Sequence, residues 1–107
     1  MKILQTNISD LIEIKPKIFN DDRGFFLECM NKEMKNFTSI HEFNQTSISC
    51  SKFSVLRGLH YQIDKPITQF VQCIKGSVLD IACDLRKSST SFGNFFYLEL
   101  NDREKNM

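Results

Sequence analysis

Apolar and polar residues alternate with a period of two through much of this chain, the pattern of half-buried β-strands rather than of helices. In "LIEIKPKIF" the residues Ile12, Ile14 and Ile18 share one parity and oppose Glu13, Lys15 and Lys17, with Pro16 between them. Proline has no N–H to give a ladder, so this reads as an edge-type strand interrupted at Pro16. "NDDRG" follows as a turn, and Phe25 to Glu28 resumes as a strand. Only "NKEMKNF" suggests a helical turn, through Met34 and Phe37.

Beyond residue 45 short runs recur: Thr46 to Phe53, Val55 to Gln62, Gln69 to Ile74, Val78 to Leu85 and Phe95 to Leu100. Lys75-Gly76-Ser77 reads as a hairpin turn and the stretch from Ser88 to Gly93 as a loop. Leu79, Ile81, Cys83 and Leu85 fall on one face, expected to pack, with Val78, Asp80, Ala82 and Asp84 on the other. Short strands at this spacing predict an all-β, antiparallel sandwich or barrel. With 107 residues and no repeat or linker, residues 1–107 are expected to form a single domain with one modest core.

One run carries chemistry as well as pattern. In "SVLRGLHYQ", strict alternation puts Leu56, Gly58, His60 and Gln62 on one face and Val55, Arg57, Leu59 and Tyr61 on the other. Arg57 and His60 then point apart, unless a bulge at Gly58 resets the register. His60 by itself fits either a hydrogen-bonded structural histidine or a base, since imidazole titrates closest to neutrality.

Charge and composition narrow the function classes. Fourteen basic and thirteen acidic side chains leave a net charge of +1, so no global field draws the chain to nucleic acid or to an anionic membrane. No apolar run approaches the roughly 18 residues of a membrane span, and "MKILQTNISD" is not a secretory leader, so a cytoplasmic location is expected. Cys29, Cys50, Cys73 and Cys83 form no CxxC pair and read as ordinary buried thiols. Two histidines, His41 and His60, with Gln62 where a second member of an HxH pair would stand, argue against a metal site. GxGxxG, P-loop and GxSxG motifs are absent from the sequence.

The words "DDRGFFLE", "VLRGLHYQ" and "VQCIKGSVLDIACDLRKSSTSFG", in that order, resemble the dTDP-4-dehydrorhamnose 3,5-epimerase family from about Ile14 onward. The resemblance implies a jelly-roll barrel of the cupin type. It implies a homodimer that works without metal or organic cofactor on a 4-keto-6-deoxy sugar joined to dTDP. His60 inherits the role of the base that removes protons beside the ketone, and Arg23 and Glu28 inherit nucleotide binding. Phe26 is placed near the base, Arg57 on substrate, and Gln45 and Ser47 on the family's polar word. A cation for the enolate oxygen is usual where this chain has Gln69, and asparagine where it has Ser47.

The sequence stops at "NDREKNM", before the family's histidine-bearing strand and its tyrosine and aspartate, so an incomplete barrel is expected. Asp80 or Asp84, and Tyr61 or Tyr97, are the candidates to stand in for the carboxylate and the acid. The expected activity is that of a sugar-nucleotide epimerase. The alternatives are a non-catalytic or degraded nucleotide-binding fragment and a keto-sugar isomerase that moves the ketone between C3 and C4.

Overall fold

The computed structural model describes residues 1–32 and 43–107. Among these described residues, six strands pair into three antiparallel ribbons. β1 (Lys2–Gln5) pairs with β2 (Ile12–Lys15), β3 (Ile18–Asp21) with β4 (Gly24–Leu27), and β5 (Ser77–Cys83) with β6 (Phe95–Asn101). The architecture is therefore all-β and antiparallel, but among the described residues the ribbons do not join into a closed barrel. The radius of gyration, 15.1 Å, exceeds the roughly 13 Å of a compact domain of about 100 residues, which agrees with an open arrangement.

The chain breaks where its chemistry requires. β2 ends at Lys15 and β3 begins at Ile18, so Pro16 falls in the gap between two ribbons. The β3–β4 reversal takes two residues, Asp22 and Arg23, between the paired Asp21 and Gly24. Gly24 supplies a φ of 134°, which side-chain-bearing residues rarely adopt, and the Asp21 Oδ1 accepts the Arg23 N–H at 2.8 Å.

Ile14 and Met107 form the buried centre, with Met1, Ile3, Ile12 and Phe70 packed around them. Ile14 and Met107 exchange both backbone hydrogen bonds, at 2.8 and 3.0 Å. Both backbone groups of Ile14 thus face Met107, which makes the registered Ile3–Ile14 pair on the other side a close, non-hydrogen-bonded one. Asn101 and Asp102 organise the turn that brings Met107 here: Asn101 Oδ1 accepts from the Arg103 and Glu104 N–H groups, and Asp102 and Gly76 bond to each other. Lys105 then lies 4.2 Å over the Phe25 ring, which links this turn to β4.

Three sequence expectations require correction. The runs at Thr46–Phe53, Val55–Gln62 and Gln69–Ile74 form no paired strand, because alternation supplies only half of a strand and the other half is a neighbouring ladder. The side chains of the first two runs are open to solvent, Phe53 at 99% and Leu56 at 90%, while in the third Phe70, Gln72 and Cys73 are half-buried. On β5 the face with Leu79, Ile81 and Cys83 is exposed together with Phe95 and Tyr97, whereas Ala82, Phe96, Leu98 and Leu100 on the opposite face are the better covered. Cys29, Cys50 and Cys83 are exposed and Cys73 half-buried, since the runs that carry them lack the packing their apolar neighbours suggested; none is in a disulfide. The helical turn expected at Met34 and Phe37 lies outside the described residues, as does His41.

Candidate active site

The β3–β4 ribbon carries the first group of candidate residues. Arg23 sits at the turn, where its Nη2 and Nε donate to Asp21 Oδ2 at 2.6 and 3.2 Å. The guanidinium, helped by the Arg23 N–H, holds the Asp21 carboxyl below the ordinary carboxylate value. Phe26 faces its cross-strand partner Phe19, the ring centres 6.3 Å apart and tilted by 40°. Glu28, two residues on and of the same parity as Phe26, accepts a hydrogen bond from Asn31 Nδ2 at 2.9 Å. Beside it lies a cleft of about 210 Å³ lined by Met1, Lys17, Phe19, Glu28 and Asn31.

The second group lies on the extended stretch between the ribbons. Gln45 and Ser47 share a side of the backbone, and the Gln45 amide donates to the Ser47 hydroxyl at 3.0 Å. A turn at Phe53–Ser54, with Ser54 at φ 64°, folds the following run back. Arg57 reaches across that turn, its Nη2 donating to the Cys50 carbonyl at 3.2 Å.

His60 is exposed, as are Arg57 and Gln69. Gly58 stands at φ 115°, far from extended backbone, so the strict alternation that would separate Arg57 from His60 does not run through this segment. Gln69 precedes Phe70, which packs against the Ile14 core and meets the Phe43 ring edge-on at 6.2 Å. Among the described residues no hydrogen bond or ion pair joins the ribbon residues Arg23, Phe26 and Glu28 to Gln45 and Ser47, to Arg57 and His60, or to Gln69.

A further cluster went unread as such in the sequence. The Asp84 carboxylate is buried, at 4% exposure, and accepts from Arg86 Nε and Nη2 at 2.9 Å each, from the Arg86 N–H at 3.0 Å and from Ser91 Oγ at 2.7 Å. Arg86 also donates to Asp10 Oδ2 at 2.8 Å and to the Ser9 carbonyl at 2.7 Å, while the Ser9 N–H bonds Ser91 Oγ at 3.0 Å. Arg86, with Ser89 and Ser91 behind it, holds the Asp84 carboxyl far below the carboxylate range, and Asp84 raises Arg86 in turn. Asp84 is thus committed to a latch between the β1–β2 loop and the β5–β6 loop. The exposed Asp80, on β5, is left as the open carboxylate of the two weighed from the sequence.

Tyr61 and Tyr97 are both exposed. Tyr97 lines an open cleft of about 510 Å³ with Gln5, Thr6, Asn7, Phe95 and Phe96. Two hydrogen bonds from side-chain amides hold its walls together: Asn7 Nδ2 donates to the Phe95 carbonyl at 3.1 Å, and Asn94 Nδ2 to the Asn7 carbonyl at 3.2 Å. No group of three or more His, Cys, Asp and Glu with metal-binding geometry occurs among the described residues, and no helix there is long and apolar enough to cross a membrane.

Among the described residues, three antiparallel ribbons, the first of them packed on the Ile14–Met107 core, with an arginine turn, an aromatic strand pair and an open histidine segment, define an all-β chain of cupin-like type with unclosed sheets. Residues 5–107 match the family model for dTDP-4-dehydrorhamnose 3,5-epimerase, and the chain belongs to that family. It is 40% identical to the Shigella flexneri dTDP-4-dehydrorhamnose 3,5-epimerase, over 98% of this chain and 60% of that protein. With the Pseudomonas aeruginosa enzyme of the same name it shares 39% identity, over 98% and 59% respectively.

Among solved structures, the Bacillus anthracis epimerase with TDP and PPi bound superposes with a TM-score of 0.89 at 33% identity, covering 98% of this chain and 62% of that one. The Legionella pneumophila 3,5-epimerase in complex with dTDP-4-keto-L-rhamnose gives 0.86 at 34%, covering 98% and 57%. The chain therefore spans about 60% of the length of the relatives it matches.

Proposed function

We propose that this chain carries out, within a cytoplasmic homodimer, the epimerisation of a dTDP-linked 4-keto-6-deoxy sugar, with His60 as the base. The observation that carries this reading is the family match over residues 5–107, a range that includes the RGLHYQ word, whose histidine is open to solvent in the structure. The Legionella relative holds a dTDP-linked 4-keto sugar, a ligand of the class proposed.

The chemistry follows from the ketone. A proton on the carbon beside it is removable once the charge that develops on the oxygen is met by a donor, so the site requires a base, an oxyanion donor and cations for the diphosphate. His60 takes the proton as neutral imidazole, which becomes imidazolium as the enolate forms; an acid on the opposite face, for which Tyr61 and Tyr97 are the candidates, protonates the carbon and inverts it, and the proton on the imidazolium returns through solvent to the tyrosinate. Gln69 meets the enolate oxygen with its amide N–H. Arg57 and Arg23 bind the diphosphate through the planar donor forks of their guanidinium groups. Gln45 and Ser47, already bonded to each other, present one polar edge to the ligand, and Phe26 and Glu28 bound the nucleotide end.

Residues 1–107 act as one domain in this reading. The exposed apolar face of Leu79, Ile81, Phe95 and Tyr97 supports burial against a second subunit, because contiguous apolar patches of this kind mark interaction surfaces. Incubation with the dTDP-linked 4-keto-6-deoxy sugar, followed by analysis of the product, tests the proposal. An inverted centre at C3 or C5 supports it. A 3-keto isomer supports the related isomerase instead, and unchanged substrate removes the activity.

A further inference from the structure

The cleft beside Glu28 contains a cation that the family resemblance does not assign. Lys17 lies in the gap left by Pro16, and its Nζ stands 4.7 Å from the centre of the Phe19 ring. That placement over an aromatic face fixes an otherwise flexible ammonium at the rim of the cleft. Phe19 is braced from the other strand by Phe26, and Glu28 is oriented by the hydrogen bond from Asn31.

Lys17 and Glu28 line the same cleft, yet they form no ion pair with each other among the described residues. A carboxylate only accepts and an ammonium only donates. Together they complement a flat ring edge that sets an N–H beside a carbonyl. The cleft volume, about 210 Å³, is below the roughly 300–1,000 Å³ of a site for a whole drug-sized ligand, so it suits one ring of a larger molecule.

We infer that Lys17 is a specificity-determining residue for the pyrimidine base: it donates to a ring carbonyl while Glu28 accepts the neighbouring imide N–H. The inference rests on the nucleotide-sugar reading above and extends it to a residue outside the DxRG word. Lys17 is exposed and makes no ladder bond, so its replacement leaves the ribbons in place.

Calorimetric titration of the full chain with dTDP, with the N3-methylthymine analogue of dTDP and with inorganic pyrophosphate tests it. Lys17→Met is expected to weaken dTDP binding about tenfold, the loss of one charge-assisted hydrogen bond, and to leave pyrophosphate binding unchanged. Lys17→Arg is expected to restore most of the dTDP affinity, and the N3-methyl analogue to bind the parent less tightly than dTDP does.

Unaltered dTDP binding by Lys17→Met would overturn the inference. So would equal losses for dTDP and pyrophosphate, which would put Lys17 on the diphosphate. A parent that binds dTDP and its N3-methyl analogue alike overturns base reading while sparing the nucleotide-sugar proposal; a parent that binds none of the three overturns both.

Discussion

Arg86 grips Asp84 with two parallel hydrogen bonds, Nε to Oδ1 and Nη2 to Oδ2, both 2.9 Å long. The fork fixes the guanidinium plane, and the remaining donors reach Asp10 and the Ser9 carbonyl on a different ribbon. A side-chain pair only two residues apart thereby ties together parts of the chain separated by more than 70 positions.

The latch predicts an acid dependence of defined sign. Asp84 has a folded-state pKa depressed below its ordinary value of 3.8, so its contribution is complete above 3.8 and is lost as pH falls through the folded value. Denaturant melts of the parent and Asp84→Asn should therefore differ most above pH 3.8 and converge in stronger acid. A gap that stays constant with pH would show that the carboxylate charge is not what holds the loops.

Ile14→Ala should destabilise the chain by about 2–5 kcal/mol, the usual range for emptying a buried isoleucine position. Ile14 is 3% exposed and is the residue around which Met1, Ile3, Ile12, Phe70 and Met107 gather. Urea unfolding measures this directly, and a change below 1 kcal/mol would mean that the chain holds together elsewhere.

At Gly58 a methyl group would meet the His60 backbone nitrogen at 3.6 Å and Nδ1 at 3.8 Å, so space is sufficient. The obstacle is the backbone, since φ 115° costs a side-chain-bearing residue about 1–3 kcal/mol. Gly58→Ala should relax that angle, turn His60 away and reduce turnover well beyond any loss of stability in this exposed segment. Parallel kinetics and melts separate the two effects.

In the proposed reaction Gln69 offers the enolate an uncharged donor where the family resemblance expects a lysine. Charge-assisted hydrogen bonds are roughly twice as strong as neutral ones, so Gln69→Lys should raise kcat, by about tenfold if the gain is near 1.4 kcal/mol. An unchanged or lower kcat would place Gln69 away from the oxygen.

The sequence disclosed the elements whose signals are local. Pro16 marked the end of β2, the DDRG word marked a two-residue reversal, and Val78 onward and Phe95 onward gave strands that the structure pairs. It misled between residues 46 and 74, because alternation states that a run can be a strand and leaves open whether a partner is beside it.

Of the candidate site the sequence named residues and not their contacts: the hydrogen bond from the Gln45 amide to the Ser47 hydroxyl is visible only in the fold. The role of Asp84 was hidden, since its partners Ser9 and Asp10 are distant in sequence and only folding reveals them. The face of β5 that packs was misjudged for the same reason: coverage depends on what lies across the sheet, which one strand does not record.

Transfer of solvent deuterium to the sugar is the most direct measure of His60 as the base. In D2O, the parent chain should introduce deuterium at a carbon beside the ketone of the dTDP-linked 4-keto sugar. His60→Ala should lower that rate by roughly 10²–10⁴-fold, the usual contribution of a positioned general base. Incorporation at equal rates by parent and variant, or by neither, would contradict it.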